Sequence, residues 1–163
     1  MAKTIAAVLA MLACLVTAQD WNTPGTVAVV KEFEGLYLTA YVCPAGVLTI
    51  GYGHTGPDVY SGMRITAAQA EAYLSTDLQK FANIVNSAVL VPLNRNQRGA
   101  LTSFTFNVGG GAFRTSTLLR RLNAGEDPNT VAQQELPRWN KGGGKVLPGL
   151  VRRRKAEVDF FMS

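Results

Sequence analysis

The sequence predicts an α+β domain that is mostly helical, with a small antiparallel sheet region near the N-terminal end and a larger helical lobe after it. Three observations carry this. Two capping boxes, Thr66 with Gln69 and Asn94 with Gln97, open stretches of helical apolar spacing. Residues 38–52 instead collect β-branched and aromatic side chains broken by Pro44 and Gly46. A chain of 163 residues, 47% hydrophobic and 17% charged, is long enough for one compact core and too short for two ordinary ones.

Lys3 precedes an apolar run over residues 4–18 that ends at Gln19 and Asp20. Fifteen helical residues reach about 22 Å, short of the roughly 20 residues that span a bilayer comfortably. The run fits a signal peptide cleaved after Val16-Thr17-Ala18, or a weak retained membrane anchor rich in alanine. It lacks the polar face of a buried soluble helix. Residues 1–22 are therefore expected to be an export signal or signal-anchor with its linker, and residues 23–163 the domain proper. On this reading the chain is exported, first tethered to the inner membrane or released by cleavage.

Thr23-Pro24 supplies a cap hydroxyl and a first-turn proline, so a helix begins there. Its apolar face is Val27, Val30 and Phe33, and Gly35 ends it, leaving Glu34 in the last turn. After the sheet region, Ala70, Tyr73, Leu74, Leu78 and Phe81 line a long helix from Thr66 to about Val85. The next carries Ala100, Leu101, Phe104 and Val108 and stops at glycines 109–111. A short helix over 115–122 ends at Gly125, a segment over 130–136 follows, and glycines 142–144 form a loop. Pro148-Gly149 then precedes a terminal helix reaching about Phe161.

A net charge of +5 favours polyanionic partners without choosing among cell wall, anionic membrane and nucleic acid. Two cysteines exclude a disulfide-dense scaffold and a paired-cysteine zinc site, and a single histidine argues against an all-protein metal centre. No metal and no organic cofactor is expected. Glycines 109–111 follow a helix and lack the strand–loop–helix context of a phosphate cradle. The run Arg152, Arg153, Arg154 and Lys155 would spray around a helix, solvated or paired with Glu157 or Asp159. Without interleaved aromatics it does not read as a nucleic-acid patch.

Glu34, Cys43 and Thr49 form the candidate reactive set. Cleaving a glycosidic bond needs a protonated acid at the leaving oxygen and a partner that positions or deprotonates water. The negative end of a helix dipole favours a protonated Glu34. A cysteine thiolate can act as base or nucleophile, and a threonine hydroxyl can hold water.

The runs Phe33-Glu34-Gly35-Leu36, Ala40-Tyr41 and Thr49-Ile50-Gly51-Tyr52-Gly53-His54-Thr55 resemble the phage-type lysozymes, the family of the lambdoid endolysins. The likeness continues through Asn94-Arg95-Asn96-Gln97-Arg98-Gly99-Ala100-Leu101 and Phe106-Asn107-Val108-Gly109. It extends to Phe113-Arg114-Thr115-Ser116-Thr117-Leu118-Leu119, Arg138-Trp139-Asn140 and Gly149-Leu150-Val151-Arg152-Arg153-Arg154, covering about residues 27–161. The family pattern is a glutamate, eight residues, an aspartate or cysteine, five residues and a threonine, and Glu34, Cys43 and Thr49 match it in register.

The resemblance implies a lysozyme-like fold and a muramidase acting on bacterial peptidoglycan, with host lysis as the result. It makes Glu34 the general acid, puts Cys43 in the usual aspartate position and gives Thr49 the water. It also pairs His54 with Asp77 as a structural couple near the site. Signal-anchor-release endolysins resemble the N-terminal plan, and there a Cys14–Cys43 disulfide would lock the site, closing a loop worth about 3–4 kcal/mol. A monomer that binds peptidoglycan and no nucleic acid is expected. The alternatives are a lytic transglycosylase that leaves anhydromuramic ends, or a cationic wall- or membrane-binding protein without catalysis.

Overall fold

The computed structural model describes residues 23–43 and 46–163. The expected export segment, its cleavage point and Cys14 lie outside the described residues. One expectation is corrected. Among the described residues no helix is long and apolar enough to cross a membrane, so they give the expected inner-membrane tether and tethered location no support. The longest helix is interrupted by Glu71, Asp77 and Lys80, so it is amphipathic and buries one side only.

Helix α1 (Pro24–Glu34) starts as its sequence dictates, with Thr23 Oγ1 accepting from the Thr26 N–H at 3.0 Å. Strands β1 (Tyr37–Val42) and β2 (Leu48–Gly51) form an antiparallel pair with Tyr41 opposite Thr49 and an irregular register between Tyr37 and Tyr41. Helix α2 (Ala67–Ala88) opens on a complete capping box, as does α3 (Arg95–Val108). Three short helices follow, α4 (Gly110–Arg114), α5 (Thr117–Asn123) and α6 (Pro128–Glu135), then a 3-10 turn over Leu136–Arg138. A hairpin of β3 (Lys141–Gly142) and β4 (Lys145–Val146) leads into α7 (Pro148–Met162). The architecture is mostly helical with a small N-terminal sheet.

Some boundaries differ from the sequence reading for local reasons. The glycines after Val108 interrupt the helix at Gly109 only, and Gly110 and Gly111 enter α4. Ser116, not Thr115, caps α5, accepting from the Leu119 N–H at 3.1 Å. Helix α6 begins at Pro128, two residues before the segment expected over 130–136, because Asp127 caps it by accepting from the Thr130 N–H at 2.8 Å. The expected glycine loop is a hairpin turn: Gly143 and Gly144 both have positive φ (55° and 78°), which a type I′ turn needs at its two central positions.

Three clusters of buried side chains share α2 as their common wall. Ile50, Val59, Ile65 and Ala70 make the core of the sheet lobe against its first turn. Val30 of α1 packs on Leu74, Leu78 and Ala82 at its middle. Its end enters the main core, where Val85 joins Leu101 and Phe104 of α3, Phe113, Leu122, Leu136 and Phe161. Residues 99–105 of α3 are all buried, so this helix is the centre of the larger lobe.

His54 ties the sheet lobe to α2. Its Nδ1 lies 2.6 Å from Asp77 Oδ2, its Nε2 lies 3.1 Å from Asp58 Oδ2, and its ring stacks on Tyr73 at 4.1 Å. The hydrogen bond from His54 holds the Asp58 carboxyl below its ordinary range. A carboxylate whose folded value is depressed stabilises the fold above its unfolded value, about 3.9, and loses that contribution as pH falls through the folded value.

Two outcomes follow. Phe104→Ala opens a cavity at the centre of the main core and costs about 3–5 kcal/mol in urea unfolding. Asp58→Asn leaves a smaller difference in melting temperature between neutral and acidic buffer than the parent shows, because the acid-labile contribution is gone; an unchanged difference would contradict the His54 linkage.

Candidate active site

Glu34 stands at the last position of α1, where Gly35 turns the chain away with its N–H on the Lys31 carbonyl. The side chain is 22% exposed and borders a cleft of about 400 Å³, together with Phe33, Asn107, Leu147, Leu150 and Arg153. Gly53 closes the other side: a Cβ there would meet Glu34 Oε2 at 3.3 Å, and its φ of +90° is one that side chains rarely adopt. A second cavity of about 450 Å³ continues the cleft through Asn107 and Leu150 to Arg138, Trp139 and Lys141. Beyond Gly53 a third, about 230 Å³, is bordered by Thr55, Lys80, Phe81 and Phe106.

A guanidinium sits directly on the candidate acid. Arg153 Nη1 donates to Glu34 Oε1 at 2.5 Å, placing a full positive charge against a carboxyl that the helix terminus alone would leave in a negative field. Arg153 is 3% exposed, with its Nε donating to Glu157 Oε1 at 3.2 Å and its Nη2 to the Ser103 carbonyl at 3.4 Å. The same Glu157 oxygen accepts from Arg154 Nη2 at 3.1 Å and from Ser103 Oγ at 2.9 Å. Arg154 Nε comes within 3.0 Å of Glu157 Oε2, close enough for charge attraction but without hydrogen-bond alignment. Burial lowers Arg154 to about 10 and pushes the Glu157 carboxyl up, while both arginines oppose that rise.

The other two sequence candidates lie on the sheet lobe. Cys43 is half-buried; its N–H donates to the Val47 carbonyl at 2.9 Å and its carbonyl accepts from Gly46 at 2.8 Å. Thr49 is buried and donates its hydroxyl proton to the Val47 carbonyl at 3.1 Å, which leaves its oxygen able to accept. Burial raises the hydroxyl of Tyr41, which stands opposite Thr49, and the nearby charges of Tyr37, Cys43 and Glu34 raise it further. Neither Cys43 nor Thr49 lines the cleft that Glu34 borders with Arg153. Among the described residues there is no group of His, Cys, Asp and Glu side chains that could hold a metal.

Sequence reasoning named Glu157 and Asp159 as partners for the arginine run but missed that Arg153, Arg154 and Glu157 are buried together. The solvated reading holds for exposed Arg152, the Asp159 pairing for Lys155, and the Glu157 pairing for Arg153 and Arg154 within their own helix. The available signal was spacing, since Glu157 lies four and three residues after the two arginines and shares a helix face with both.

The family model for phage lysozyme matches residues 31–157. The endolysin of Bacillus phage PZA is 52% identical over 136 residues, covering 82% of this chain and 52% of that protein. The SAR-endolysin of Bacteriophage PS119 is 44% identical over 126 residues, covering 77% and 74%. This chain thus spans about half the length of the Bacillus phage relative. Among solved structures, the muramidase domain of SpmX from Asticaccaulis excentricus superposes with a TM-score of 0.78 at 40% identity, covering 86% of this chain and 97% of that one. A match of this extent, on a helical fold with a glutamate at the mouth of its cleft, means that the chain belongs to the phage lysozyme family, a family of lysozyme-type glycoside hydrolases.

Proposed function

We propose that this chain is an endolysin muramidase that hydrolyses the β-1,4 bond between N-acetylmuramic acid and N-acetylglucosamine in bacterial peptidoglycan, with residues 23–163 as the catalytic domain. The observation that carries the reading is Glu34, partly exposed at a cleft and hydrogen-bonded to buried Arg153. Glu34 protonates the oxygen leaving the muramyl carbon, and Arg153 fixes which way its carboxyl faces. As the leaving bond breaks, the positive charge of Arg153 stabilises the carboxylate that the acid becomes.

Water addition falls to the sheet lobe in this reading. Cys43 takes the place of the second carboxylate and draws the proton from water, and the Thr49 oxygen accepts a hydrogen bond that orients it. In this reading the sugar chain lies between the helical lobe, which carries Glu34, and the sheet lobe, which carries Cys43 and Thr49. A Cys14–Cys43 disulfide is part of the same proposal, because it would consume the thiolate and stop water activation under oxidising conditions. Mass spectrometry of unreduced protein tests it, and two free thiols in oxidising buffer would remove it.

Glu34→Gln should lower turnover of purified peptidoglycan by about 10²–10⁴-fold while the variant still folds cooperatively, at a lower melting temperature because Arg153 loses its anion. Cys43→Ala should lose about 10²-fold, while Cys43→Asp, which restores the commoner family residue, stays active. Sugar ends released by the parent protein should be hydrated and reducing. Anhydro ends would make it a transglycosylase, and lysis by Glu34→Gln equal to the parent would leave only a wall-binding role.

A further inference from the structure

Glu157 is fully buried and carries no step of the chemistry above. Three donors from two helices converge on one of its oxygens: Ser103 Oγ from α3, and Arg153 Nε and Arg154 Nη2 from its own helix. A guanidinium is a rigid planar fork, so anchoring one nitrogen aims the others. Holding Arg153 by its Nε sends Nη1 to Glu34 Oε1. Holding Arg154 by its Nη2 brings that nitrogen within 2.9 Å of Asn107 Oδ1. Arginine has no acceptor, so Asn107 must meet it oxygen first, and the amide N–H donors are what it has left for the cleft. Asn107 borders both the cleft at Glu34 and its continuation towards Trp139.

We propose that Glu157 is a positioning residue, which through Arg153 sets the charge beside Glu34 and through Arg154 turns the donor face of Asn107 towards the sugar chain. The inference rests on the reading of Glu34 as the acid. The groups concerned are few. Glu157 faces Arg153 and Arg154 on α7 and only neutral Ser103 on α3. Glu34 faces Arg153, feels Arg154 behind it, and shares Tyr41 with Cys43 on β1. Between Glu34 and Glu157 the two cations are balanced by two anions. Deleting the Glu157 charge leaves both cations acting on Glu34 alone, which opposes its work as a proton donor.

The experiment measures kcat and KM on purified peptidoglycan across pH, with a melting temperature for each variant. Glu157→Gln should move the alkaline limb of kcat/KM down by about one pH unit, a roughly tenfold loss at fixed pH above it. Glu157→Asp keeps the charge and should bring the limb most of the way back. Asn107→Ala should raise KM about fivefold in the parent and less than twofold in the Glu157→Gln background. A residue that only fills space would lower the whole profile without moving the limb, and would leave the Asn107 effect multiplicative. Either result overturns the proposal.

Should Glu157→Gln not fold, Arg154→Met keeps Glu157 on Arg153 and Ser103 and removes the hold on Asn107 together with the second cation behind Glu34, so KM is its readout. It should reproduce the KM of Asn107→Ala, with the second substitution adding nothing; independent effects would overturn the proposal. Glu34→Gln separates the two readings. If that variant stays active, the acid assignment falls; if it is dead while Glu157→Gln leaves the limb in place, the positioning role alone falls.

Discussion

The seam between α3 and α7 holds two guanidinium groups and one carboxylate with almost no access to water, and the second anion that balances them, Glu34, comes from α1. Taking such ions out of water costs several kcal/mol each, and with Arg154 Nε and Nη1 and Glu157 Oε2 making no hydrogen bond, charge attraction has to offset much of that cost. Arg154 is also laid over the Phe104 ring at 4.9 Å, so the cation is compensated from a second side by the main core itself. An apolar seam would hold α7 as well. The charged one additionally fixes its rotation, since turning the helix would break the Ser103 and Asn107 contacts together.

That rotation reaches Glu34 through packing. Helix α1 lies on both α3 and α7, so the glutamate at its end belongs to the helical lobe although it precedes the sheet in sequence. Cys43 and Thr49 belong to the sheet lobe, whose small core rests on the first turn of α2. The long α2 is the common wall, with His54 fastening the sheet lobe at Asp77 near its middle. Glu34 on one side, and Cys43 and Thr49 on the other, are therefore mounted on different lobes joined by one helix.

Much of this was legible in the sequence because local chemistry dictates it. Thr23, Thr66 and Asn94 cap helices by hydrogen bonds spanning three residues, and no distant residue is needed to predict them. The candidate triad was legible through resemblance, not physics, since spacing alone says little about Glu34, Cys43 and Thr49. The two-residue strands β3 and β4 are too short to show alternation, so only their glycines were visible. The buried arginines were hidden for a different reason. Consecutive charges on a helix look solvated until one knows which faces are covered, and Arg154 is covered by Phe104 fifty positions earlier.

The contact between Glu34 and Arg153 spans 119 residues, nearly the full length of the domain. Loops that long are slow to close, and nothing shorter substitutes for this one. During synthesis α1 emerges first but finds its final neighbours only when α7 has left the ribosome, because α7 supplies part of the surface on which α1 lies. A nascent or prematurely terminated chain thus carries a glutamate without its cation and a cleft without one wall. Glu34 therefore acquires its cation and the facing wall of its cleft in one step, when α7 docks, however early α1 itself has formed.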